Sequence, residues 1–177
     1  MANNDFTMIP TLDAKKFFDG IGYFRDLAQK NKLAKEHHFF PCTCSGISSL
    51  EGVLANFRRE QAFICVEDTN DSTTEENSGG FFSRRAFTVF IMARYRYDDM
   101  DDREQKLNIC RQIFRQFHSR MLMDREHLSQ ELAYLNVERV SSREFGQYFI
   151  NGCTGLYFMV DLSEPINLEY NAEEWEG

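Results

Sequence analysis

Residues Phe81 to Tyr97 alternate along an unusually long run, and that run constrains the chain more than any other feature. Phe87, Val89, Ile91, Ala93, Tyr95 and Tyr97 fall on one face of an extended strand. Arg84, Thr88, Arg94 and Arg96 fall on the other face with Phe90 and Met92. Gln61 to Val66 reads as a second, buried-type strand just upstream. Between them lies an acidic stretch, 67–80, that ends in Gly79-Gly80 and carries no Lys or Arg. The expectation is a long β-hairpin over 61–97, with a flexible acidic loop at a far end that projects beyond the domain.

The flanking elements fit an α+β domain. Phe17, Ile21, Phe24 and Ala28 share one face of a helix expected over 11–33, which Gly20 and Gly22 weaken. His37 to Cys44 reads as extended, and Pro41 there suggests a sheet edge. Ser48-Ser49-Leu50-Glu51 matches a capping box that opens a short helix to about Arg59. Asp98-Asp99-Met100-Asp101-Asp102 precedes the strongest helix, 101–124, with Leu107, Cys110, Phe114, Phe117 and Met121 as its seam. Strands are expected over 132–140, 145–150 and 153–162, the last two joined at Asn151-Gly152, with Pro165 ending the final one. The middle of this order has the β-α-β-β-α-β succession of a ferredoxin-like unit. The fold class is therefore a single α+β domain over 1–162, an antiparallel or mixed sheet with helices on one face, and an acidic C-terminal arm over 163–177.

Charge narrows the function. The chain has 28 acids against 20 bases, a formal −8. Ten of the acids lie in two base-free segments, Glu67 to Gly80 and Ser163 to Gly177; without them the rest is formally +2. Segments this polar do not cover their ordering entropy by burial, so both are expected to stay flexible until something docks on them. The acidity argues against sequence-specific nucleic-acid binding, which needs a basic surface. Arg84-Arg85-Ala86-Phe87-Thr88-Val89-Phe90 also lacks the glycines of an RNA-recognition signature. The apolar runs are too short to span a bilayer, and Met1 to Asp5 does not read as a secretory signal. A cytoplasmic location and no membrane partner are expected.

Signals for chemistry are weak. Five cysteines (Cys42, Cys44, Cys65, Cys110, Cys153) read as reduced, packed thiols. His37, His38, Cys42 and Cys44 contain zinc-ligand types, but C-x-C is not a knuckle spacing and no second cysteine pair follows. Asp68-x-Asn70-x-Ser72-x-Thr74 has the oxygen alternation of a calcium loop, without its glycine or its closing glutamate. No G-x-S-x-G, Walker loop or G-x-G-x-x-G occurs. The reading is no enzyme, no cofactor and no metal.

What remains is surface for partners. Arg84, Arg85, Arg94 and Arg96 make a basic stripe on the hairpin, and Asp68, Asp71, Glu75 and Glu76 make its acidic loop. Ile166, Leu168 and Tyr170 alternate after Pro165 like a strand added to a neighbour's sheet, and Trp175 is set among glutamates. The segment Phe87 to Tyr95, followed by Asp98-Asp99 and the helix to Met123, together with the closing strand Leu156 to Leu162, resembles the neck and tail-junction proteins of tailed bacteriophages. Tail-completion, tail-terminator and connector-ring proteins share this order of elements. The resemblance implies a non-enzymatic virion subunit in a homo-oligomeric ring, stacked between portal or connector and tail. DNA would pass through the ring, with loop 67–80 facing the channel or a neighbour. A cytoplasmic ferredoxin-like module that binds a ligand or regulates a partner is the alternative.

Overall fold

The computed structural model describes residues 17–146 and 152–176. The elements are α1 (Gly20–Lys30), α2 (Lys32–Glu36), β1 (Phe39–Cys44), α3 (Ile47–Asn56), β2 (Ala62–Glu67), β3 (Asp71–Asn77), β4 (Gly80–Arg94), α4 (Met100–Gln130), β5 (Tyr134–Leu135), β6 (Ser141–Glu144) and β7 (Cys153–Ile166). They form one α+β domain on a seven-stranded mixed sheet in the order β1-β2-β4-β7-β5, with β3 also on β4 and β6 also on β7.

β4 is the spine, as its alternation requires. It pairs antiparallel with β7 along its length, from Phe81↔Ile166 to Arg94↔Cys153. Its other edge is lined first by β2 (Ala62↔Ala93 to Val66↔Val89) and then by β3 (Asp71↔Ala86 to Asn77↔Gly80). Residues 67–70 bulge opposite Phe87 and Thr88, where the Asn70 side-chain amide donates to the Ala86 carbonyl at 3.2 Å. The acidic stretch is thus mostly strand rather than flexible loop. The reversal is only Ser78-Gly79, with φ of 52° and 83°, the left-handed pair of a type I′ turn. β7 accompanies β4 to its distal end, so a lone hairpin projecting from the domain is not what forms.

Both faces of the sheet are buried, because β4 is apolar at odd and even positions alike. On the first face, Phe87, Val89, Ile91 and Ala93 pack with Ile64, Val66, Leu156, Phe158, Val160 and Leu162 beneath α1 and α4. Phe158 lies among Phe24, Phe114 and Phe117, with ring centroids 5.9, 5.1 and 6.4 Å away. On the second face, Phe90 and Met92 pack with Phe63, Cys42, Cys44, Cys65 and Cys153 beneath Leu50 and Leu54 of α3. The helices therefore divide between the faces instead of sharing one. β1 and β2 are parallel neighbours joined through α3. A ferredoxin-like unit splits its βαβ strands with another strand between them, and this order does not.

Local chemistry explains the other departures from expectation. Asn31, extended at φ −67° and ψ 122°, ends α1 and caps α2 through the Ala34 N–H, so the single helix expected to residue 33 is two. Its expected first turns, 11–16, lie outside the described residues. Gly20 opens α1 because the Phe87 ring occupies the space a β-carbon would take, 2.2 Å from Cε1. The capping box does not form: α3 starts two residues earlier, after Gly46 as its cap, and the Ser49 hydroxyl accepts from the Ser45 N–H at 2.7 Å. α4 begins where the acids announce it, with Asp99 accepting from the Asp102 N–H, but continues to Gln130. The strand expected over 132–140 reduces to β5; of the one expected over 145–150 only 145–146 are described, and they follow β6 without belonging to a strand. Residues 147–151, including Asn151 of the expected turn, lie outside the described residues.

Candidate assembly surface

Each of the four arginines read as a basic stripe has partners within the chain. Arg85 lies on the α1 face, and its Nη2 donates to Glu164 Oε1 at 2.6 Å and to the Phe18 carbonyl at 2.8 Å. Glu164 is fully buried, and its other oxygen accepts from the Phe18 N–H at 3.0 Å. The guanidinium lies 5.1 Å from the Phe87 ring centroid and 5.6 Å from that of Phe17. This pair fastens the chain entering α1 to the distal end of β7. Arg94 donates to the carbonyls of Glu60 (3.0 Å) and Leu54 (2.8 Å), closing the end of α3, and stacks on Phe63. A cation at a helix C-terminus complements its dipole. Arg96 pairs with Asp99 and Asp102 at the start of α4. Arg84 pairs across the sheet with Asp161, an interaction that raises its pKa further above the ordinary arginine range. Arg85 and Arg94 are thus used inside the domain, whereas Arg84 (46% exposed) and Arg96 (73%) stay at the surface within their ion pairs.

The arm is shorter than expected. Pro165 does not end β7, since Ile166 still pairs with Phe81. Ser163, Glu164, Pro165 and Ile166 therefore belong to the sheet. Beyond them, Leu168, Tyr170 (73% exposed) and Trp175 (68%) stand in solvent. Asn171 caps a single 3-10 turn at Ala172–Glu174, and the Tyr170 and Trp175 rings stack at 6.5 Å.

The registers bring together what the sequence keeps apart. Glu76 pairs with Phe81, and Phe81 pairs with Ile166. The acidic strand and the root of the acidic arm therefore share one end of the sheet. Glu75 and Glu76 are exposed there; Asp71 is exposed further back, opposite Ala86, and Asp68, by the bulge, accepts from the Ser45 hydroxyl at 2.8 Å. The polarity of β3 hid it from periodicity; the signal that marks it is the Asn77-Ser78-Gly79-Gly80 turn with Thr73 and Thr74 upstream.

A second feature escaped the sequence. A groove of about 770 Å³ runs between α1, α2 and α4, floored by Leu27, Leu33, Phe117 and Leu128. On its wall the Tyr23 hydroxyl donates to Asp124 at 3.1 Å and Arg120 donates to the same carboxylate at 2.8 Å. Burial and then the Asp124 charge push the Tyr23 hydroxyl well above the ordinary phenol range.

The cysteines are free and buried. Cys42 and Cys65 are register partners on β1 and β2. Hydrogen bonding with Cys42 and burial push the Cys65 thiol far up, while burial first raises Cys44 and Cys110 to about 12 and Cys153 to about 11. Such thiols are poor nucleophiles at neutral pH. Among the described residues, no three His, Cys, Asp or Glu side chains gather as a metal site. The stretch read for calcium alternation runs from the bulge into β3. No described helix is long and apolar enough to cross a membrane. No protein-family model matches the chain, and no curated protein does.

Proposed function

We propose that this chain is a non-enzymatic structural subunit of a virion. It forms a homo-oligomeric ring at the neck or head–tail junction of a tailed bacteriophage, stacked between portal or connector and tail. The observation that carries the reading is the convergence of the distal end of exposed β3 and the aromatic arm at one end of the sheet. An acidic end of this kind, turned towards a channel, repels the phosphate backbone and keeps passing DNA from adhering. The arm offers Leu168, Tyr170 and Trp175 to neighbouring rings, and aromatic residues are enriched where such contacts carry energy. Electron microscopy of the purified protein, alone and with the proteins encoded beside it, tests the reading. Rings support it, and single particles of one subunit in both samples contradict it.

The groove between α1, α2 and α4 favours a second reading, a ligand-binding or regulatory module. Its volume and apolar floor are those of small-molecule pockets. That reading requires a compact monomer or dimer and a rise in Tm with a metabolite.

A further inference from the structure

Among the described residues, β3 hydrogen-bonds only to β4 and β6 only to β7, and every residue of both strands is exposed. They are open edges on opposite sides of the same sheet. β1 is a third open edge, but Pro41 offers no N–H to a ladder.

Directions follow from the pairings. β3 is antiparallel to β4, β4 to β7 and β7 to β6, so β3 and β6 run in opposite senses. A second copy set beside the first in the same orientation brings its β6 against β3 as an antiparallel neighbour, the slightly more stable arrangement. The faces also agree. Thr73 pairs with Arg84 and Glu75 with Phe82, so Asp71, Thr73 and Glu75 lie on the face that carries Phe90. Arg143 pairs with Tyr157, which lies on that same face.

The charges separate the possible partners. β3 carries Asp71, Glu75 and Glu76 and no base. Two β3 strands paired about a two-fold axis would set acids against acids, and so would β3 against the acidic arm; like charges across strands are destabilising. β6 carries Arg143, with exposed Arg139 just before it. Its only acid, Glu144, is held by both arms of Arg111 at 2.6 and 2.8 Å.

We infer that β3 of one copy adds to β6 of the next, extending the sheet across subunits with Arg143 between Asp71 and Glu75. The contact is head-to-tail, and such contacts close into rings when the rotation between copies allows it. This deepens the assembly reading above and rests on it.

Sedimentation velocity of the full chain over a concentration series tests it. Arg143→Glu alone, and Asp71→Arg with Glu75→Arg, should each weaken association about tenfold or more. The three changes together restore opposite charges and should bring association back to within about threefold of wild type. Glu51→Lys, on exposed α3 away from both edges, should leave it unchanged. All of these side chains are exposed, and circular dichroism with thermal unfolding verifies the fold of each variant. If wild type assembles and the edge variants assemble equally well, or the combined variant fails to recover, the edge pairing is wrong while the ring reading stands. A wild-type chain that stays monomeric at every concentration overturns both.

Discussion

Glu164→Ala is the sharpest probe of how this fold is held. The change removes two charge-assisted hydrogen bonds, to Arg85 Nη2 and to the Phe18 N–H. It leaves the Phe18 N–H without that acceptor and Arg85, 19% exposed at its side chain, without its carboxylate. Removing one partner of a buried ion pair costs about 3–5 kcal/mol, mostly as the penalty on the charge left behind. Arg85 keeps a rim of solvent and the Phe87 ring, so the low end applies, about 3 kcal/mol. For a chain of this size that lowers Tm by roughly 6–12 °C. Urea unfolding followed by circular dichroism should show a lower midpoint with an unchanged slope. Among the described residues Arg85 Nε has no hydrogen-bond partner, so the pair is incompletely satisfied there. Replacing both members, Arg85→Met with Glu164→Leu, should therefore recover more than half of the loss. A Glu164→Ala protein within about 0.5 kcal/mol of wild type, the usual range of exposed substitutions, would refute the reasoning.

The same geometry separates two truncations: a chain ending after Ile166 should keep its Tm, and one ending after Leu162 should lose the Glu164 clasp together with the ladder of Ser163 to Ile166, and so more stability than Glu164→Ala. The sequence reading, in which all of 163–177 is a dispensable arm, expects both to fold equally well. Gly155 sits at φ 148°, and a β-carbon there would meet the Ile91 carbonyl oxygen at 2.1 Å, so Gly155→Ala should cost about 3 kcal/mol in urea unfolding. Alkali should destabilise the fold. The Cys44, Cys110 and Cys153 thiols titrate near 11–12 when folded, against roughly 8.5 unfolded. Above pH 8.5 the native state holds more protons than the unfolded one, so unfolding free energy falls by about 1.4 kcal/mol per pH unit for each such thiol. Unfolding curves at pH 8 and pH 10 measure this, and equal stabilities would show the thiols to be accessible.

How far the fold could be read from the sequence depends on where each signal resides. β7 announces itself by an alternation decided by burial on the strand itself, and β4 by a long β-branched and aromatic run buried on both faces. The start of α4 is equally local, set by Asp99, Asp101 and Asp102 at its first turn. β3 has no apolar residue, so hydrophobic periodicity cannot distinguish it from a solvated loop and only Thr73, Thr74 and the turn after them mark it; it is a strand because β4 beside it has an edge to fill. Glu164 reads as tail surface, since its partner Arg85 is 79 residues away. The partners of Arg84, Arg85 and Arg94 are hidden in the same way, since Asp161, Glu164 and the carbonyls of Leu54 and Glu60 lie far away in the chain, whereas Arg96 meets Asp99 and Asp102 just beyond the strand. The groove is lined by three helices, and only their packing brings Leu27, Phe117 and Leu128 together.

Assembly is the centre of this account, and light scattering coupled to size exclusion measures it most directly. The chain has a mass of 20.8 kDa. A ring-forming subunit should elute with a mass that is a whole-number multiple of that value, dissociating as salt is raised if acidic and basic edges meet. A single species at 20.8 kDa across concentrations up to the millimolar range would contradict the account.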